Sequence, residues 1–142
     1  ILRIAGDLAK DEDAEMVTEA HARQAKEQTE INRVRELIDG ETQLAKLVLS
    51  ALVLQTEQQE GAVPTQAVYE QYTQLATAMD TKTVSERRVS DILKQFNFHS
   101  VVRSERVGRG RGRGITNRHR IIEDLDIVKK ALSRDADITY FE

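Results

Sequence analysis

The sequence contains no cysteine, which excludes disulfide bonds and zinc sites with thiolate ligands. No apolar run approaches the roughly 18 residues that a transmembrane helix needs, and no signal-peptide pattern opens the chain. The three histidines, His21, His99 and His119, are too far apart in sequence to show a metal-ligand spacing. We therefore expect a cytoplasmic protein with no membrane contact and no metal site.

Recognisable catalytic motifs are also absent. The sequence has no Walker A, H-E-x-x-H or G-x-S-x-G pattern. The glycines of segment 108–114 lack the final step of the G-x-G-x-x-G dinucleotide motif, and they stand between two strand-like segments instead of before a helix. The sequence thus predicts a chain of 142 residues without a catalytic site or a cofactor of its own.

Charge is segregated along the chain, although the net charge is only −3. Residues 1–60 hold seven Lys/Arg and thirteen Asp/Glu, whereas residues 82–120 hold eleven Lys/Arg and three Asp/Glu. The positive field is therefore confined to one stretch, for which a polyanion is the natural partner.

The first 40 residues predict helices. The chain starts at Ile1 inside an amphipathic pattern, which suggests a fragment of something longer. Residues 1–9 predict a short helix and the acidic segment 11–15 predicts a loop. Thr18 is the predicted N-cap of a second, largely polar helix that stops at Gly40.

Three further helices are predicted from Thr42 onward. The first has apolar residues at helical spacing from Leu44 to Leu52, and residues 61–64 then turn the chain. Thr65 is the predicted cap of the next helix, which ends near Met79. A T-x-x-E capping box, residues 83–86, predicts the start of the third.

The pattern changes to β after Asn97. Residues 98–107 and 115–122 predict two strands, joined by the loop Gly108-Arg-Gly-Arg-Gly-Arg-Gly114. A last helix over 127–132 follows, with a tail to Glu142 that we expect to be mobile or weakly docked. Three helices and a hairpin with a basic tip predict a winged helix, a mainly α fold with a small β-hairpin.

The third helix and the hairpin carry the candidate site. With Val89 at the centre of the buried face, an advance of 100° per residue places Arg87 and Lys94 near the solvent pole and Arg88 and Ser90 on the flanks. Such donors suit phosphates and base edges, and a glycine-arginine loop suits a narrow minor groove. The predicted DNA-binding residues are Arg87, Arg88, Ser90, Lys94, Arg103, Arg106, Arg109, Arg111, Arg113, Arg118 and Arg120.

Segments 1–9 (Ile-Leu-Arg-Ile-Ala-Gly-Asp-Leu-Ala), 17–21 (Val-Thr-Glu-Ala-His) and 86–93 (Glu-Arg-Arg-Val-Ser-Asp-Ile-Leu) together resemble the C-terminal part of archaeal replication initiators of the origin-recognition/cell-division-control type. In that family an AAA+ ATPase module with a helical lid precedes a winged helix, and the protein recognises origin repeats and helps to load the replicative helicase.

The resemblance implies that residues 1–41 end the lid and residues 42–142 form the winged helix. It places the recognition helix at 85–96 and the wing at 103–120, with double-stranded origin DNA as partner and the helicase or other initiator subunits as further partners. ATP or ADP and magnesium are implied only for the full-length protein, because the nucleotide motifs would precede Ile1. Arg3 is not equated with the family's second sensor arginine, and the wing departs from the family in its Gly/Arg content.

Alternatives to origin binding stay open at this point. The basic residues of the third helix can be an ordinary solvated face, and the glycine loop a flexible solvated loop or a short RNA-binding RGG-like tract. A winged-helix transcription regulator would dimerise, for which the helix from Thr18 would serve. A winged helix used only for protein interaction would not bind random duplex DNA.

Overall fold

The computed structural model describes residues 13–108 and 115–141, without the side chains of residues 13–17 and 115. Its helices are α1 (Asp13–Asp39), α2 (Gln43–Gln58), α3 (Thr65–Ala78), α4 (Glu86–Phe98) and α5 (Leu125–Leu132). Its strands are β1 (Val63–Pro64), β2 (Val102–Gly108) and β3 (Ile115–Ile121). The predicted fold, mainly helical with a small β-hairpin of the winged-helix type, is confirmed.

The sheet has one more strand than the hairpin that the sequence predicts. Its order is β1-β3-β2, antiparallel throughout, with Val63 opposite His119 and Pro64 opposite Arg118. Residues 61–64 are predicted as a turn, because two residues are too short a run to show the alternating pattern of a strand. Pro64 fits an edge strand because that position needs no N–H donor for the ladder.

Helix α2 lies at the centre of the core. Seven consecutive residues, 47–53, are all buried, since helices or strands cover this segment on every side. Its neighbours in the core are α3, α4, α5 and the sheet. The run looks like a strand in sequence, but the element that contains it is 16 residues long, which is typical of a helix.

The C-terminal tail is docked, which contradicts the expectation of a mobile end. Ile138 is fully buried in the core. Gln43 donates a hydrogen bond to Asp137 at 2.8 Å, and Lys46 lies 3.4 Å from the carboxylate of Asp135. The few apolar residues of this acidic tail form too short a pattern to indicate an anchor, so the sequence did not predict it.

Three of the predicted helix starts are wrong. Helix α1 already includes residues 13–15, so that part of the acidic segment is helical and Thr18 lies inside the helix. The predicted capping box does not form, because Ser85 is the N-cap of α4 and accepts a hydrogen bond from the Arg88 N–H at 3.2 Å. Thr42 does cap α2, accepting from the Ala45 N–H at 3.2 Å.

Thr65 is the first residue of α3 and not its cap, which is Pro64. This shift by one residue frees the Thr65 hydroxyl from capping. The side chain is available for a contact with the sheet, which is described below.

Helices α3 and α4 end in the same way. Asp80 (φ +54°) and Ser100 (φ +62°) take the left-handed conformation one residue after the C-cap. At the end of α4, the N–H groups of Ser100 and Val101 donate to the carbonyls of Asn97 and Phe96, at 3.1 and 3.0 Å. These are the two bonds of a Schellman motif, here formed without glycine.

Helix α1 packs on α5 and on the tail. Its Val34 and Ile38 are buried in the common core. Arg33 pairs with Glu123, and Arg134 donates from Nε to the Asp39 carboxylate at 2.9 and 3.1 Å. The division of the chain at residues 41 and 42 stays a prediction, although the two parts contact each other closely.

Candidate nucleic-acid interface

The orientation of helix α4 agrees with the helical-wheel prediction. Its buried residues are Val89, Ile92, Leu93 and Phe96. Arg87, Arg88 and Lys94 are exposed, and Ser90 is half-buried. Ser85 is exposed as well, because it lies outside the helix as its N-cap. The apolar spacing alone therefore directs the cations of this helix to solvent.

The hairpin has two chemically different faces. Alternation along a strand and the register that pairs Ser104 with His119 and Arg106 with Asn117 put these four residues on one face. We call this the inner face, because it turns towards α4. The outer face carries the intervening exposed residues, which are Arg103, Glu105, Arg118 and Arg120.

A groove runs between α4 and the inner face of the hairpin. Lys94 and Asn117 line both of its adjoining halves. The first half is further lined by Thr65, Glu86, Arg87, Ser90, Asp91 and Thr116. The second half is further lined by Asn97, Ser104, Arg106 and His119. Its walls thus combine three cations, Arg87, Lys94 and Arg106, with two carboxylates and several hydroxyl and amide groups, which leaves an excess of one positive charge.

The outer face forms a shallow cleft of its own. Ala62 lines it together with Arg103, Glu105, Arg118 and Arg120. Glu105 lies directly opposite Arg118 in the sheet register. Within the described ranges, the ion pairs closer than 4 Å involve other side chains, so the three guanidinium groups lack a carboxylate partner at that distance. This cleft presents an excess of two positive charges to solvent.

His119 connects the hairpin to the start of α3. Its Nε2 lies 2.6 Å from the Thr65 hydroxyl, and its Nδ1 lies 2.7 Å from the Ser104 hydroxyl. The side chain is 1% exposed, and this burial lowers the pKa of His119 from 6.5 to about 4. The ring is neutral at physiological pH, with one nitrogen donating and the other accepting. It fixes β2 and β3 relative to the floor of the groove.

The structure brings together only part of the predicted residue set. Arg87, Ser90, Lys94 and Arg106 line the groove, and Arg88 is exposed on the flank of α4. Arg103, Arg118 and Arg120 lie on the outer face. Arg109, Arg111 and Arg113 lie outside the described residues.

Several groove residues were not predicted from the sequence. The concentration of positive charge that indicates the site does not mark four residues that also line the groove, which are Asp91, Asn97, Thr116 and Asn117. The sequence pattern could have identified Asn117, because it stands two residues before His119 in β3 and therefore lies on the same face of the strand. Asn97 had no such signal, since its contact with the Ser104 N–H depends on the chain reversal after α4.

Other kinds of site find no support among the described residues. No group of three His, Asp or Glu side chains there is arranged to hold a metal ion. No helix in residues 13–108 and 115–141 has the length and apolar character to cross a membrane.

Three consecutive helices, α2, α3 and α4, are followed by the β2–β3 hairpin, and the short strand β1 completes the sheet. This arrangement defines a winged-helix domain. Residues 36–131 match the family model described as the C-terminal winged helix domain of CDC6, and the chain belongs to this family. The match includes all of α4 and the hairpin, and therefore the whole groove.

Named relatives are archaeal. The chain is 39% identical over 137 residues to ORC1-type DNA replication protein 4 of Halobacterium salinarum, covering 96% of the chain and 33% of the relative. It is 30% identical over 138 residues to ORC1-type DNA replication protein 1 of Sulfurisphaera tokodaii, covering 97% of the chain and 35% of the relative. The chain thus spans about a third of the length of these proteins.

A solved structure is similar over nearly the whole chain. The Aeropyrum pernix ORC1 protein in complex with DNA aligns with a TM-score of 0.72 and 29% identity, covering 95% of this chain and 35% of that one. The similarity supports the fold with helix α1 included, since a match of residues 42–142 alone would cover a smaller share.

Proposed function

We propose that this chain binds double-stranded DNA at replication origins, as the C-terminal part of an archaeal origin-recognition/cell-division-control initiator. Helix α4 enters the major groove, and the hairpin follows the neighbouring minor groove and phosphates. The observation that carries the proposal is the groove whose walls supply Arg87, Lys94 and Arg106 from two elements. The proposal is also supported by the similar Aeropyrum structure, which is that of an ORC1 protein in complex with DNA.

The side chains of α4 match what the major groove offers. Arg and Lys donate to the O6 and N7 atoms of guanine, Asn pairs with adenine, and an acidic side chain accepts from the amino group of cytosine. Arg87, Lys94 and Asp91 provide such groups from one exposed stripe of α4, and Arg88 and Ser90 flank it. Base readout is therefore assigned to α4, and phosphate contacts to the cations around it.

The hairpin is assigned to the phosphates on both of its sides. A minor groove is about 6 Å wide, so a hairpin at its mouth has one strand of the duplex against each face. Arg106 then lies towards one strand, and Arg103, Arg118 and Arg120 lie towards the other. Arg109, Arg111 and Arg113, which the sequence predicts at the tip, complete the wing in this proposal.

Paired charge removals test the proposal. We expect Arg87→Ala/Lys94→Ala to weaken binding to the preferred duplex by more than tenfold and to reduce the preference for that duplex over random sequences, since each lost base contact costs about 1–3 kcal/mol. Arg23→Ala/Lys26→Ala removes the same charge from the exposed side of α1 and should leave both quantities near wild type. Fluorescence anisotropy with preferred and random duplexes at several salt concentrations measures them.

The outcome separates DNA contact from a general charge effect. Equal decreases in affinity for the two double variants would mean that net charge, and not the groove, controls binding. A wild-type chain that fails to bind any duplex at moderate salt would contradict the proposed function itself. Arg109→Ala/Arg111→Ala/Arg113→Ala should weaken binding to all sequences alike and flatten the salt dependence, as expected for phosphate contacts.

The remaining roles belong to the longer relatives. We propose that ATP or ADP and magnesium bind outside this chain, that the chain is not itself an enzyme, and that the replicative helicase or other initiator subunits are partners of the whole protein. A role at origin DNA implies a location in the cytoplasm, at the nucleoid. The third of the relatives' length that this chain spans is assigned to DNA contact alone.

A further inference from the structure

Phe98 is an exposed aromatic residue at the end of the proposed recognition helix. Its exposed fraction is 82%, and with Ile122 at 43% it makes up the exposed large apolar residues among the described part of the chain. The sequence pattern assigned Phe98 to the first strand, where it would have packed in the sheet. The structure instead includes it in α4, which ends at this residue.

Phe98 continues the polar stripe that faces away from the core. It follows Arg87 by eleven positions and Lys94 by four, so at 100° per residue its direction is within about 20° and 40° of theirs. Asp91 lies between them on the same side of the helix. A rise of 1.5 Å per residue puts Phe98 about 6 Å beyond Lys94 along the helix axis, or roughly two base-pair steps.

The last turn of α4 is held firmly in place. Asn97 accepts a hydrogen bond from the Ser104 N–H at 2.9 Å, which ties this turn to β2. The Val101 N–H closes the helix end by donating to the Phe96 carbonyl at 3.0 Å. The Phe98 ring meets the His99 ring edge to face, with centroids 5.4 Å apart. An apolar group is thus presented at a fixed place on the duplex-facing stripe.

We propose that Phe98 packs against the 5-methyl group of a thymine in the major groove and so determines specificity at one or two positions of the DNA site. The thymine methyl is the apolar feature that a major groove presents, and phenylalanine is a side chain suited to it. Arg87 and Lys94 on the same stripe favour a duplex over an apolar protein surface as the occupant. The inference rests on the proposed function, since it requires α4 to lie in the groove.

Removal of the methyl group, without any other change to the duplex, tests this contact. A duplex library first yields the preferred site of the wild-type chain, and each thymine in it is then replaced singly by deoxyuridine. Wild type should lose about fourfold in affinity per buried methyl group at one or two positions. Phe98→Ala should bind the unmodified site more weakly and be insensitive to the same replacements.

Ile122→Ala is the matched control, because it shortens the other exposed apolar side chain. It should retain the wild-type affinity and the wild-type pattern of uracil sensitivity. Both variants alter exposed groups, so each is expected to fold. A salt slope of Phe98→Ala equal to that of wild type would show that the phosphate contacts are intact.

The inference would be overturned by a uracil scan that gives the same profile for wild type and Phe98→Ala, or by a selected site without thymine under α4. Unchanged duplex affinity of Phe98→Ala would also overturn it and would assign this ring to a protein contact. These outcomes leave the proposed function standing as long as Arg87→Ala/Lys94→Ala still loses binding. A wild-type chain that bound no duplex DNA would instead contradict the proposed function itself.

Discussion

The two faces of the β2–β3 hairpin are built from the same strands but differ in how their polar groups are held. On the inner face, His119 contacts two hydroxyl groups, and Ser104 is bonded through both its hydroxyl and its N–H. On the outer face, Arg103, Arg118 and Arg120 are exposed to solvent. A period of two along each strand therefore separates hydrogen-bonded side chains on one face from solvent-exposed charges on the other.

This difference indicates a division of work in DNA recognition. Side chains that are bonded on several sides lose little entropy on binding, so the inner face can hold α4 and the hairpin at a constant distance. Long arginine side chains lose more, about 2 kcal/mol of rotamer entropy each at most, but they adapt to a phosphate wherever it lies. The inner face is thus suited to geometry and the outer face to charge.

The largest expected effect is on stability, and it concerns the centre of the inner face. His119→Ala leaves a cavity and takes the partner from one buried and one half-buried hydroxyl group, so the free energy of unfolding should fall by about 3–5 kcal/mol. Arg120→Ala, next to it on the outer face, should change it by less than about 0.5 kcal/mol. Denaturant unfolding at neutral pH measures both. Equal effects of the two variants would contradict the division between the faces.

Acidification should weaken the same contact without a mutation. The pKa of His119 is about 4 in the folded chain, below the 6.5 of a solvent-exposed histidine, so the unfolded state takes up the proton first as the pH falls. Stability is lost on acidification, by about 2 kcal/mol between pH 7 and pH 5. His119→Gln cannot titrate there, so its unfolding free energy should depend less on pH by this amount. Parallel pH profiles would contradict a buried neutral ring.

Duplex binding should also distinguish the faces. Arg106→Ala removes a phosphate contact beside α4 that fixes the register of the base-reading helix, so it should cost on the order of 1 kcal/mol on the preferred site and less on sequences that lack the base contacts. Arg118→Ala, on the outer face, should weaken binding equally on all sequences and act through the salt slope. Anisotropy titrations of both variants against preferred and random duplexes measure this. Specificity lost in Arg118→Ala and kept in Arg106→Ala would reverse the assignment.

Helix α4 and the exposure of its cations were predictable, because the apolar spacing of Val89, Ile92, Leu93 and Phe96 determines both. The hairpin was predictable from two β-rich segments around a glycine loop. The separation of the hairpin's arginines into two faces was not predictable. Alternation puts successive residues on opposite faces, but it does not give the register that pairs one strand with the other. Once Ser104 is placed opposite His119, alternation gives the face of each arginine in the two strands.

Features that depend on distant contacts could not be predicted. Strand β1 exists because Val63 pairs with His119, which is 56 positions away in the chain. The burial of Ile138 depends on a site formed by the other elements of the core. Phe98 was assigned to a strand because α4 continues past the last buried residue of its apolar face. In each case the missing information was tertiary, and local propensity suggested another structure.

The smallest expected effect comes from Glu105, the acidic residue in the outer cleft. Because Glu105 lies opposite Arg118 in an exposed pair, Glu105→Gln should lower stability by only about 0.2–1 kcal/mol. The same change removes a negative charge from the face assigned to phosphates, so we expect duplex affinity to rise about two- to threefold at about 50 mM salt and less at about 200 mM. Glu57→Gln, which removes an equal charge from the end of α2, is the control and should leave duplex affinity unchanged. If Glu105→Gln binds DNA like wild type at both salt concentrations, the outer face does not lie along the phosphates and its arginines serve another partner.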